Sequence, residues 1–262
     1  MPKDDLRGRF VWYELLTTDP DAAIRFYTKI LGWGTAPFEQ AEGSYTMWTN
    51  QGTPVGGVMA LPEEAKAQRV PPNWLGYVGT PDVDATAAQA TELGGRILKE
   101  PADIPKVGRF AVIGDPQGAV IAVFTPSSDE SREELPPKKG EFSWHELATT
   151  NHESAFQFYH SLFGWEKTEA MDMGPMGIYQ MYGRHGKTLG GMFNKSKDMP
   201  GPPAWLYYVM VNDVHPASEK VKELGGKVLN GPMEVPGGDW ITQCMDPQGA
   251  AFAIHSPAPA KK

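Results

Sequence analysis

Hydrophobic and polar residues alternate along Phe10-Val11-Trp12-Tyr13-Glu14-Leu15, the period of two that a half-buried strand requires. The alternation predicts Phe10, Trp12 and Glu14 on one face, with Val11, Tyr13 and Leu15 on the other. Thr18-Asp19-Pro20 then reads as a helix start, with Asp19 as N-cap and Pro20 at the first helical position, where its missing N–H costs nothing. Beyond it the period lengthens. Ala23, Phe26, Tyr27 and Ile30 form one stripe, predicting a helix from Pro20 to about Leu31 that Gly32 ends. Three strand-like pieces follow, around Thr35–Gln40, Ser44–Asn50 and Val55–Leu61, divided by glycine-bearing turns. After Pro71-Pro72 the order returns: a strand at Trp74–Gly79, a helix from about Val83 to Leu93, then strands near Arg96–Lys99, Arg109–Ile113 and Val120–Phe124. The tight turn Asp115-Pro116-Gln117-Gly118 separates the last two.

This whole pattern occurs twice. Phe142-Ser143-Trp144-His145-Glu146-Leu147 repeats the opening strand 132 positions later (10 to 142), and Phe26-Tyr27 and Gly32-Trp33 come back as Phe158-Tyr159 and Gly164-Trp165. Pro202-Pro203, Asp213-Val214, Leu224-Gly225-Gly226 and Asp246-Pro247-Gln248-Gly249 complete the second copy. The reading is therefore two modules, 1–126 and 142–262, each with two βαβββ units: 10–61 and 73–126, then 142–194 and 204–257. Residues 127–141, rich in Ser, Pro and charge, read as an exposed linker.

Composition narrows the function. Of 262 residues, 40% are hydrophobic and 21% charged, as in a soluble globular protein. A net charge of -8 and the lack of a basic cluster disfavour nucleic acid and anionic membranes, because a polyanion must be met by clustered positive charge. No apolar run approaches the roughly 20 residues that span a bilayer, and Met1 to Leu6 lacks a signal peptide's apolar core, so a cytoplasmic location is expected. The one cysteine, Cys244, excludes an internal disulfide framework and reads as a small buried hydrophobe.

Taken in order and twice over, these motifs resemble the vicinal oxygen chelate superfamily, in particular its tandem-module glyoxalase/bleomycin-resistance-like proteins. The resemblance implies an α+β fold in which four βαβββ units form two curved mixed-sheet cups with helices outside. It also implies a divalent metal held by His and Glu on the cup strands of many members, whereas bleomycin-resistance proteins bind drugs without one. Carried over residue by residue, the first-strand His position falls on Trp12 and Trp144, and the last-strand Glu position on Ala122 and Ala253. The other positions fall on Gly56 and Gly190, and on Trp74 or Leu75 and Trp205 or Leu206. None of these side chains ligates a divalent metal, so no metal or other cofactor is expected.

Trp12, Trp144, Trp74, Trp205 and His255 are the candidate ligand-binding residues, the tryptophans offering flat apolar walls with one donor each. Gly56-Gly57 and Gly190-Gly191 either leave room beside such a wall or permit close backbone approach. Tyr77 and Tyr208 read as core packing against the helices. Glu14 and Glu146 are the candidate catalytic bases, since a carboxyl desolvated beside tryptophan gains the pKa that base chemistry near neutrality needs. The competing role is structural, with backbone N–H groups or an arginine such as Arg109 as partner. His255 should face the second cup, where the first has Phe124, and with Glu146 it suggests a metal or acid–base site as against simple hydrogen bonding; His145 should turn the opposite way from Glu146. Three functions fit. The leading one is a metal-free protein binding a small organic molecule, planar or hydrophobic; the others are a glyoxalase-like lyase or isomerase using Glu14 or Glu146, and a protein-interaction module with filled cups. A monomer is the expected state, because tandem modules can satisfy within one chain the pairing that single modules achieve by dimerising.

Overall fold

The computed structural model describes residues 6–38, 45–128 and 135–258. Gln40 and Ser44, expected to end and begin strands, lie outside these residues, as do 129–134 of the linker and Lys261-Lys262. The first repeat runs β1 (Phe10–Thr17), α1 (Pro20–Leu31), β2 (Gly34–Pro37), β3 (Thr46–Asn50), β4 (Thr53–Ala60), a short α2 (Glu63–Ala67), β5 (Asn73–Gly79), α3 (Val83–Glu92), β6 (Arg96–Ile104), β7 (Gly108–Gly114) and β8 (Val120–Pro126). The second runs β9 (Phe142–Thr149), α4 (His152–Phe163), β10 (Glu166–Asp172), β11 (Ile178–Arg184), β12 (Lys187–Asn194), β13 (Ala204–Met210), α5 (Val214–Glu223), β14 (Lys227–Glu234), β15 (Trp240–Met245) and β16 (Ala251–Ser256).

The expected α+β architecture holds. Each repeat builds one eight-stranded mixed sheet, in the orders β2-β3-β4-β1-β5-β8-β7-β6 and β10-β11-β12-β9-β13-β16-β15-β14. In the first sheet β1 runs parallel to β4 and β5 parallel to β8, while the outer strands pair antiparallel. No helix among the described residues is long and apolar enough to cross a membrane.

The signals in the sequence act as read at the helix ends. Asp19 Oδ1 accepts from the Ala22 amide at 2.9 Å and Gly32 closes α1 in the left-handed region at φ 73°, which a glycine enters without a Cβ penalty. Asn151 and Gly164 do the same for α4. Ile30 is only half-buried, and Leu31 takes the innermost place at the end of the α1 stripe.

The chain packs as two compact units that draw on both repeats. One comprises residues up to Trp12, the stretch from Leu75 into the linker, and Trp144–Trp205; the other comprises Tyr13–Trp74, Leu135–Ser143 and the chain from Leu206 onward. The core of the first gathers Tyr159, Phe163, Trp165, Tyr182 and Trp205. That of the second gathers the matching Tyr27, Trp33, Trp48 and Trp74 with Phe252. The end of the linker is not free in solvent: Gly140 is buried, and its carbonyl accepts the Trp33 indole N–H at 2.7 Å. In the other unit the Trp165 indole donates to the Gly8 carbonyl at 2.7 Å.

Each unit pins a helix to a turn by the same relay. In the second unit Trp74 Nε1 donates to the Tyr27 hydroxyl at 3.0 Å, which donates to Asp246 Oδ2 at 3.1 Å. Oδ1 of the same aspartate accepts from the amides of Gln248, Gly249 and Ala250 at 2.8–2.9 Å, so the Asp-Pro-Gln-Gly turn is organised from within. Trp205, Tyr159 and Asp115 reproduce the chain in the first unit, at 3.2 and 3.0 Å.

Removing the shared hydroxyl strands a buried indole N–H and a buried carboxyl oxygen together. Tyr27→Phe should therefore lower the unfolding free energy by about 2–4 kcal/mol. Chemical denaturation measures it, and a loss below about 0.5 kcal/mol, the range of neutral surface changes, would show that the hydroxyl is not the joint.

Candidate functional site

On the other faces of β1 and β9 the same motif recurs with glutamates. Tyr45 donates its hydroxyl to Glu14 Oε2 at 3.0 Å. Tyr179 donates to Glu146 Oε2 at 3.1 Å and accepts the Trp144 indole N–H at 2.8 Å. Both glutamates are buried. Glu14 pairs in register with Gly57 on β4 and Glu146 with Gly191 on β12, and each tyrosine reaches its carboxyl by lying over that glycine. A Cβ on Gly57 would run into the Tyr45 hydroxyl and stand 2.8 Å from Glu14 Oε1, and one on Gly191 would run into the Tyr179 ring.

The room expected beside these two glycines is therefore filled by tyrosine. At Gly56 the close backbone approach is the correct reading, since a Cβ there would lie 2.5 Å from the Tyr13 carbonyl oxygen. Tyr45 and Tyr179 escaped the sequence reading, although they stand 134 positions apart, the same spacing as Gly57 and Gly191. Arg109, the suggested partner of the glutamates, instead forks onto Asp84 at 2.6 and 2.8 Å and reaches Asp103 at 2.9 Å.

Burial pushes the Glu14 carboxyl up from the usual carboxylate range to about 8, against a smaller lowering by the Tyr45 hydrogen bond. At neutral pH Glu14 thus holds its proton, and Oε1 has no hydrogen-bond partner. A group in that state donates; it becomes a base only toward the alkaline side.

Trp74 and Trp205 do not belong to this face. They are 7% and 8% exposed and committed to Tyr27 and Tyr159. Strand parity explains the correction: Leu75 and Tyr77, the odd positions of β5, form a buried cluster with Ala122, against which Val11, Trp12, Phe110, Val112 and Phe124 pack half-buried. Tyr77 accordingly lies in the cluster against which Trp12 packs. Phe10 also departs from the expected alternation. It stacks on His145 at 3.7 Å between ring centroids, because Val11 and Trp12 both turn to the Leu75 cluster and the alternation slips by one.

His145 turns away from Glu146 as expected. It is buried, with Nδ1 on the Leu189 carbonyl at 2.7 Å, and desolvation drives its pKa down to about 4. His255 is held from both sides: Nδ1 lies 2.9 Å from Ser143 Oγ and Nε2 lies 2.9 Å from Asp239 Oδ2. Tyr208 lies nearby, its backbone carbonyl 3.4 Å from Ser143 Oγ and its hydroxyl accepting from Gln243 Nε2 at 3.1 Å. Cys244 is fully buried in β15. Among the described residues, no three His, Cys, Asp or Glu side chains come together as a metal would need.

Both repeats match one family model, the Glyoxalase/Bleomycin resistance protein/Dioxygenase superfamily, over residues 9–123 and again over 142–254. The chain belongs to that superfamily. It is 31% identical, over 99% of both chains, to the Mycobacterium bovis protein named "Putative glyoxylase CFP32". It is 28% identical to the anthracycline biosynthesis protein DauV of a Streptomyces species, covering 94% of this chain and 92% of that one. Among solved structures it shares its fold with the Mn(II)-bound glyoxalase of Novosphingobium aromaticivorans, at TM-score 0.60 and 18% identity over 97% of this chain and 83% of that one. A variant of homoprotocatechuate 2,3-dioxygenase from B. fuscum matches at TM-score 0.66 and 16% identity, over 97% and 72%.

The proton on Glu14 has a thermodynamic consequence. A carboxyl raised from 4.5 to about 8 on folding stabilises the native state fully below the unfolded value and loses that contribution as pH rises toward 8. The difference in unfolding free energy between the wild type and Glu14→Gln should therefore fall by about 2 kcal/mol from pH 5.5 to 7.5. A flat difference in denaturant titrations would mean that Glu14 is ionised throughout.

Proposed function

We propose that this chain binds a small, planar or hydrophobic organic molecule, and that a divalent metal takes no part. The observation that carries the reading is the half-buried apolar wall of Val11, Trp12, Phe110, Val112 and Phe124 over Leu75, Tyr77 and Ala122. Hydrophobic and aromatic linings of this kind supply most of the contact area in small-molecule sites, and an indole wall suits a flat ligand.

The donor chemistry supports the second half of the proposal. Where metal-dependent members of the superfamily would hold their ion, this chain offers indole, methyl and backbone, and the carboxyls that remain are engaged by tyrosine hydroxyls. A protonated carboxyl with one phenol beside it does not fit a divalent ion, which needs several imidazole, carboxylate or thiolate donors. The relation to a protein named for anthracycline biosynthesis agrees with a polycyclic aromatic ligand.

A second reading, a glyoxalase-like lyase or isomerase, draws on the unpartnered, raised Oε1 of Glu14. In that case Glu14 serves as a proton donor at neutral pH and as a base only once ionised. Loss of turnover in Glu14→Gln with retained ligand binding would select it.

Titrating an anthracycline into the full chain and following tryptophan fluorescence tests the binding reading. Saturable quenching is expected in chelator-containing buffer, weakened at least about tenfold by Trp12→Ala, the size of one lost aromatic contact. Quenching that vanishes with chelator would refute the metal-free reading. Affinity unchanged in Trp12→Ala would remove the wall from the site and favour a face filled by its own side chains.

A further inference from the structure

The polar chain through His255 has no counterpart in the first repeat. Ser143 corresponds to Val11 (132 positions earlier), His255 to Phe124 and Asp239 to Gly108 (each 131 earlier). The apolar residues meet in the same way, for Val11 and Phe124 join one cluster and a Cβ on Gly108 would lie 2.6 Å from Phe124 Cζ. One repeat thus has three neighbouring apolar or glycine positions, and the other has serine, histidine and aspartate, joined in a line at 2.9 Å and 2.9 Å.

We propose that Ser143, His255 and Asp239 form a nucleophilic centre that takes an acyl group from an ester or thioester. The order of the hydrogen bonds assigns the roles. Asp239 Oδ2 accepts the Nε2 proton of His255, which leaves Nδ1 with a lone pair toward Ser143 Oγ. Asp239 is itself fixed, its Oδ1 accepting the Ala258 amide at 2.8 Å. Nucleophile, base and orienting carboxylate within hydrogen-bond reach are the geometric requirement for an activated serine. Ser143 is half-buried and the His255 side chain is 15% exposed, so both sit where a substrate can approach. Gln243 and Tyr208 both pair with Ala253, two residues before His255 on β16, and the Tyr208 hydroxyl, which accepts from Gln243 Nε2 at 3.1 Å, is the candidate donor for a developing oxyanion.

The chemistry balances without a cofactor. Ser143 Oγ bonds to the acyl carbon while its proton passes to His255 Nδ1, and Asp239 holds the resulting imidazolium. The bond from the acyl carbon to the leaving oxygen or sulfur breaks, and the leaving group takes the proton from Nδ1. Water then gives its proton to Nδ1 and its oxygen to the acyl carbon, and Ser143 departs with the proton restored. Ser143 and His255 are the catalytic residues here, and Asp239 is a positioning residue acting through His255.

The test is covalent labelling of the full chain with a fluorophosphonate, read by intact mass and peptide mapping. One adduct is expected, on Ser143, absent in Ser143→Ala and slowed at least about a hundredfold in His255→Gln, the usual weight of a positioned base. Asp239→Asn, a substitution at a half-exposed side chain that spares the fold, should slow labelling and move its pH profile, a shift that a purely structural aspartate would not produce. Ser143→Cys should recover labelling with an acyl-transferring thioester. No adduct on Ser143 in protein whose melt shows it folded overturns the proposal, and so does an adduct rate indifferent to His255→Gln.

Discussion

A buried carboxyl must find hydrogen-bond donors, and that demand organises this fold. Four acids are buried among the described residues, Glu14, Asp115, Glu146 and Asp246, and each accepts a tyrosine hydroxyl, at 3.0–3.1 Å. Three of those tyrosines in turn accept an indole N–H, from Trp205, Trp144 and Trp74. The aspartates use the relay to lock a turn onto a helix, and the glutamates use it on the opposite face of the strands. The glycines at 57 and 191 follow from the same demand, because a phenol can reach the carboxyl only across a residue without a side chain.

This constraint also marks where the sequence was legible. The twofold repeat, the helix caps and the Asp-Pro-Gln-Gly turns were readable because each is a local signal with a local cause. The face of β5 was not. Trp74 and Leu75 are both apolar, so the pattern alone does not fix which one turns toward Trp12, and the indole N–H resolves it by finding Tyr27 47 residues away. Tyr45 and Tyr179 were missed for a related reason. Their shared spacing with the glycine pairs was visible, but their partner carboxyls lie on another strand, and only pairing reveals that. Arg109 shows the opposite error, a distant acid imagined where Asp84 and Asp103 were at hand.

The two repeats have kept the relay and parted elsewhere. Around Leu75 and Ala122 the first repeat offers an apolar wall, whereas in the second Ser143 and His255 stand at the places of Val11 and Phe124, with Asp239 hydrogen-bonded to His255. Members of a superfamily that share a fold need not share chemistry, and here the duplication has supplied two scaffolds of differing character within one chain.

The central proposal is that no divalent ion binds where the buried Glu14 and Glu146 carboxyls each accept a tyrosine hydroxyl. Calorimetric titration of Mn(II), Ni(II), Zn(II) and Fe(II) into the full chain tests it most directly. The account predicts no saturable uptake tighter than millimolar. One ion bound per repeat or per chain at micromolar affinity, lost in Glu14→Gln or Glu146→Gln, would contradict it.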